Sequence, residues 1–178
     1  MAIGQSKQRL DAEAKVTGRA RYTDDMGLPG MRHAAYVHST IAHGMVLSID
    51  ASEALALPGV EAVFTADDVP GFLFPTAGHP YSMDPSHGDV ADRLLLTKHV
   101  RYYGDEVAVV VARDGLTARK AAHLVKVEYE PLPVMTSAET ALAPGAPVLQ
   151  PSVNPDGNLL KQHTLECNGT LDEADVSF

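Results

Sequence analysis

Residues 106–112, Glu-Val-Ala-Val-Val-Val-Ala, form the strongest apolar run in the chain. An uninterrupted valine-rich run of this length marks a strand buried on both faces. The pattern then changes period. In residues 116–124, Leu116, Ala121 and Leu124 share one face of a helix while Arg119, Lys120 and His123 look outward, with Asp114 or Thr117 placed to cap it. Residues 125–130 alternate strictly, Val125, Val127 and Tyr129 against Lys126, Glu128 and Glu130. This is a β-α-β segment of roughly the length a crossover needs.

The first half carries a second unit. Residues 31–38 and 45–49 read as two strands with a short connection. A helix follows with the capping-box spacing of Asp50 and Glu53, and Leu57-Pro58-Gly59 stops it. Residues 60–65 then form a buried strand, giving β-β-α-β. The fold class expected from these elements is α+β, with a mixed sheet built from the β-β-α-β half and the β-α-β half.

Between and around the halves the pattern breaks. Residues 1–30 are polar and end in Gly-Leu-Pro-Gly, an extended arm laid over a neighbouring surface. Residues 70–89 hold Pro70, Pro75, Pro80 and Pro85 with three glycines, so a long surface loop is expected there. Thr136 and Glu139 have capping-box spacing for one more short helix. The resulting organisation is an arm at 1–30, a domain at 31–142, a proline-spaced linker at 143–158 and, at 159–178, the opening of a following domain.

Charge narrows the function. Fourteen lysines and arginines against 23 aspartates and glutamates give a net charge of -9, which repels phosphate backbones and anionic lipid. No nucleic-acid or membrane partner is expected. The single cysteine, Cys167, allows no internal disulfide and fits a reducing compartment. The first residues show no apolar signal-peptide core, and the 107–112 run is too short to cross a bilayer, so a cytoplasmic location is expected. The sequon Asn168-Gly169-Thr170 is then a chance match.

Candidate chemistry starts with three histidines spaced five apart, His33, His38 and His43. Strand alternation points His33 and His38 to opposite faces, and two ligands without a carboxylate or thiolate make a weak metal site. A lone histidine metal site remains only as a reading that zinc or nickel titration would expose. His79, His87, His99, His123 and His163 are scattered over loops and helix faces without metal-ligand spacing. No Gly-x-Ser-x-Gly elbow supports a nucleophile, and Cys167 reads as an inert thiol. The pairs Asp24-Asp25 and Asp67-Asp68 flank turns, where aspartate caps backbone amides. Glycine-rich phosphate loops are missing, and one cysteine cannot hold an iron–sulfur cluster. No catalytic, cofactor-binding or metal residue is assigned.

Residues 9–50 nonetheless resemble the start of the molybdenum-binding large subunit of xanthine dehydrogenases and aldehyde oxidases. The likeness rests on Arg9-Leu10-Asp11, Lys15-Val16-Thr17-Gly18, Ala20, Tyr22 with Asp24-Asp25, Leu28-Pro29-Gly30 and Ala42-His43. It continues through residues 57–70 and 100–133. At the first corner this chain reads Ser39-Thr40-Ile41-Ala42-His43 where the family usually has Ser-Pro-His-Ala-His, so only the second histidine is kept. The resemblance implies an a/b hammerhead domain ahead of molybdopterin-binding domains. It implies a parent enzyme that hydroxylates a purine, another N-heterocycle or an aldehyde with oxygen from water, a glutamate base assisting. Electrons would leave through two [2Fe–2S] clusters to FAD, and the glutamate base and pterin loops would lie beyond residue 178. The expected partners are those downstream domains and the iron–sulfur and FAD parts. The chain alone is expected to be inactive, with no cofactor of its own. An autonomous ligand- or protein-binding domain on the same scaffold is the alternative.

Overall fold

The structure, a computed structural model, describes residues 4–75, 89–160 and 162. Six strands are defined there: β1 (His33–His38), β2 (Gly44–Asp50), β3 (Val60–Thr65), β4 (His99–Val100), β5 (Glu106–Ala112) and β6 (Lys126–Pro131). Four short helices accompany them: α1 (Ala12–Val16), α2 (Ser52–Ala56), α3 (Gly115–Ala122) and α4 (Ala138–Ala141). The arm at 1–30 is therefore not wholly extended, since it carries α1 and a 3₁₀ turn at Thr23–Asp25.

The α+β class holds, but the sheet arrangement differs from the expected single mixed sheet. Two three-stranded sheets form, β1-β5-β3 and β4-β2-β6, and every pairing in them is antiparallel. The two halves of the chain are shared between the sheets. Consecutive strands β1 and β2 lie in different sheets, and the β5-α3-β6 crossover links one sheet to the other. The turn between β1 and β2 shows how. Ser39 Oγ donates to Ile41 O at 2.8 Å and accepts from Ile41 N–H at 3.1 Å, bending the chain out of the first sheet. A bulge between Val37 and His38 adds to that bend.

Strand β5 is central in its sheet, and Val107, Ala108, Val110 and Ala112 are fully buried. Against it packs α3, whose Ala118 and Ala121 are also fully buried. Small residues on that face let the helix approach the sheet closely. Leu116, read from spacing as part of the face, is exposed instead, because the helix begins at Gly115 and turns Ala118 inward. Asp114 caps it, accepting from Thr117 N–H and Thr117 Oγ1, each at 2.8 Å.

Two other expected caps move. Asp50 ends β2, paired with Lys126, and Ala51 takes the cap of α2, while Asp50 Oδ1 accepts from Ser52 N–H at 2.9 Å. Glu53 turns to Lys126 instead of closing a box. For α4 the box shifts by one residue, to Ser137 and Thr140. The 143–158 stretch is pinned as a loop: Asn158 Nδ2 donates to Ala141 O and Pro147 O, each at 2.9 Å. Most of the expected 70–89 loop, residues 76–88, lies outside the described residues, as do 161 and 163–178 of the final segment. Phe74 and Arg93 pair across the base of that loop.

Candidate functional site

Four polar residues are buried among the described residues, Ser39, His43, Thr97 and Asp105, and they gather where the two sheets meet. Ser39 N–H donates to Asp105 O at 2.8 Å, and Gly104 N–H donates back to Ser39 O at 3.0 Å. Thr97 Oγ1 donates to His99 O at 2.9 Å, while Thr97 N–H reaches Glu106 O at 2.9 Å. Buried polar groups are retained when they are bonded, and these bond mostly to backbone groups around the corner.

His43 is 5% exposed at the centre of this corner. Its Nδ1 lies 2.5 Å from Pro133 O, and its Nε2 lies 3.0 Å from Nε2 of His99. A carbonyl oxygen can only accept, so His43 carries a proton on Nδ1. In the neutral pair His43 Nε2 is then the acceptor and His99 Nε2 donates. The rings sit 5.2 Å apart at 32°. Burial, then the nearby Arg101 charge and His43, push His99 below the ordinary histidine value of 6.5. This hydrogen bond joins β4 to the entry of β2, and the Nδ1 contact with Pro133 O joins that entry to the exit of β6.

A second polar group adjoins the corner. Arg93 Nη2 meets Glu106 Oε2 at 2.5 Å, Tyr102 Oη donates to the same oxygen at 3.1 Å, and the guanidinium lies 5.0 Å from the Tyr102 ring centroid. Asp105 accepts from Arg101 N–H at 3.1 Å and Glu106 N–H at 3.2 Å. Burial nevertheless raises its carboxyl above the usual 3.8, against the pull of those N–H groups and of Arg93 and Arg101.

The residues weighed from sequence fall apart in space. His33 is half-buried at the start of β1, His38 is exposed with Nδ1 on Gly104 O at 2.8 Å, and neither joins His43. His99, taken as one of the scattered histidines, is the true neighbour of His43, and no local spacing connects residues 56 apart. His123 is exposed. His79, His87, His163 and Cys167 lie outside the described residues. One aspartate of each pair acts as a cap. Asp25 accepts from Tyr22 N–H at 2.9 Å and Asp68 from Thr65 N–H at 2.7 Å, while Asp67 pairs with Lys98. The Thr65 amide and hydroxyl hold Asp68 below the usual carboxylate value.

Among the described residues no group of three or more His, Cys, Asp and Glu side chains is placed to hold a metal ion. Two histidines facing each other fall short of a ligand set, and no nucleophile sits beside a base in the corner described above. These residues do not fit a molybdenum–pterin group. What they can do is brace the corner: the histidine pair joins strands of the β4-β2-β6 sheet, and Thr97 N–H to Glu106 O ties the start of β4 to β5 of the other sheet.

Residues 17–133 match the family described as "Aldehyde oxidase and xanthine dehydrogenase, a/b hammerhead domain". The chain belongs to this hammerhead family. The xanthine dehydrogenase molybdenum-binding subunit of Escherichia coli O157:H7 is 55% identical over 170 residues, covering 94% of this chain and 22% of that subunit. The carbon monoxide dehydrogenase large chain of Afipia carboxidovorans is 40% identical over 85% of this chain and 18% of its own length. Among solved structures, Cu,Mo-CO dehydrogenase superposes with a TM-score of 0.73 at 38% identity, covering 85% of this chain and 18% of that one. Aldehyde oxidoreductase from Desulfovibrio gigas gives 0.69 at 38% identity, with 82% and 16% covered. This hammerhead chain spans about a fifth of the length of the relatives it matches. No helix among its described residues is long and apolar enough to cross a membrane.

Proposed function

We propose that the chain is the N-terminal hammerhead module of the molybdenum-binding subunit of a xanthine dehydrogenase-like hydroxylase, and that it is inactive alone. The observation that carries this reading is the 55% identity over 94% of the chain to a subunit of which it covers 22%. The caps and the Thr97–Glu106 contact between the sheets suit a bracing module.

In this reading residues 31–142 form the module, 1–30 an arm, 143–158 a linker, and 159–178 the start of a molybdopterin-binding domain. The whole cytoplasmic enzyme hydroxylates a purine, another N-heterocycle or an aldehyde, using a molybdenum–pterin, [2Fe–2S] clusters and FAD held by other parts. The arm and the 70–89 loop supply contacts to those parts. The test has two arms. The complete reading frame, produced with its iron–sulfur and flavin partners, is expected to bind molybdenum and hydroxylate hypoxanthine or an aldehyde. The 178-residue chain is expected to show neither. Molybdenum or turnover in the short chain overturns the reading, as does a reading frame that ends at Phe178.

A further inference from the structure

A groove of about 600 Å³ runs beside β1, lined by the seven consecutive residues 34–40 and, on its other wall, by Tyr103, Arg119, Ala122, His123 and Val125. Successive strand residues point to opposite faces, so a groove touching seven in a row follows the strand's edge, where backbone groups are open. Strand β1 is an outer strand: among the described residues it pairs with β5 alone. Its other edge offers unused N–H and C=O groups, a template for one more strand. No charge or proline on β1 blunts that edge apart from His33 and His38.

The far wall is α3, and it sets the electrostatics. Arg119, His123 and His38 line the groove and no carboxylate does. Arg119 makes no ion pair among the described residues. In a chain of net charge -9 this is a local basic spot. Exposed Tyr36 and Tyr103 add aromatic surface at either side.

We propose that this slot takes an extended segment bearing a carboxylate, which adds as a strand to β1 and sets its acid against Arg119. The occupant comes from the remainder of the same subunit, because about four-fifths of the relatives' length lies outside the matched part and an extended acidic segment there would complement the basic slot. The proposal rests on the reading of the chain as one module of that subunit. Strand addition supplies affinity through backbone bonds, and the flanking side chains choose the segment.

The test uses the whole subunit. Hydrogen exchange of the residue 34–38 amides that point away from β5 is expected to be slowed about tenfold or more relative to an open edge. Arg119→Glu is expected to release most of that protection, and Lys120→Glu, one residue along on an exposed position, to leave it unchanged. Replacing Tyr36 by a photoreactive benzoylphenylalanine is expected to give cross-links to an acidic segment beyond residue 178 of the same polypeptide. Unprotected β1 amides, equal effects of the two charge reversals, or cross-links only to a second copy or to another subunit each overturn it. Molybdenum content on the same sample separates the two ideas. A loaded, active subunit with an open β1 edge defeats the slot and leaves the module reading intact.

Discussion

The β5–α3 layer and the described part of the arm, residues 4–30, both carry apolar residues, and the two sets have opposite fates. In the layer, Val107, Ala108, Val110, Ala118 and Ala121 are completely removed from solvent. In the arm, Leu10 is 102% exposed and Val16 84%, and no residue is buried. Ion pairs hold the arm locally, Arg9 and Lys15 on Asp11 and Arg19 on Glu13, all exposed. Pairs of that kind each contribute about 0–1 kcal/mol, whereas a buried valine contributes about 1.5–3 kcal/mol. The layer folds for its own reasons. The arm leaves large apolar side chains open among the described residues.

This contrast can be broken at several points. The largest effect is expected in the core: Leu96→Ala empties a side chain that is 2% exposed and should destabilise the chain by about 2–5 kcal/mol in denaturant unfolding. A smaller loss would mean that the surroundings of Leu96 close over the space it leaves. Next comes the cap of α3. Asp114→Ala leaves Thr117 N–H without its acceptor and should lower Tm by about 2–4 °C, whereas Asp114→Asn, which keeps an acceptor oxygen, should lose little.

The pH response sharpens the comparison further, since the titrating groups lie in the layered part. His99 has its affinity for protons lowered in the fold, so the unfolded chain binds more protons as pH falls below about 6.5. Stability from His99 is complete above that value and declines below it. Asp105 acts with the opposite sign. Its raised carboxyl pKa means that the folded state holds the proton more firmly, so its contribution improves as pH falls through the raised value toward 3.8. His99→Gln keeps a donor for His43 and should flatten the fall of the unfolding midpoint below pH 6.5. Asp105→Asn should steepen the loss at lower pH, because it removes the compensating group. Identical pH profiles for both variants and the parent would show that neither side chain is held as described.

The smallest effect is expected in the arm. Leu10→Ser and Val16→Ser together should move the stability of the chain by no more than about 0.5 kcal/mol. A loss comparable to Leu96→Ala would place the arm in the core and erase the contrast.

Much of the element content was legible before the fold. The valine run at 106–112 is β5 without change of bounds, and strict alternation placed Val127 and Tyr129 inward on β6. The helix after Asp114 was legible in kind, but Leu116 was misjudged. A leucine at helical spacing looks like core, and only the close seat of Ala118 and Ala121 on β5 shows that the buried face lies elsewhere. The aspartate pairs read correctly because capping is decided within a few residues, as with Asp68 and Thr65. The family resemblance was legible too, and the match over residues 17–133 bears it out.

Periodicity and turn chemistry operate over two to four residues, so by themselves they marked β1, β2, β3, β5, β6, α2, α3 and α4, while the short α1 and β4 escaped them. They carry no term for partners far apart. That β1 and β2 separate into two sheets, that β5 is central, and that His43 meets His99 rather than His38 are outcomes of burying both sheets around one core. Such choices depend on distances between side chains tens of residues apart, and only the folded chain brings those distances into being.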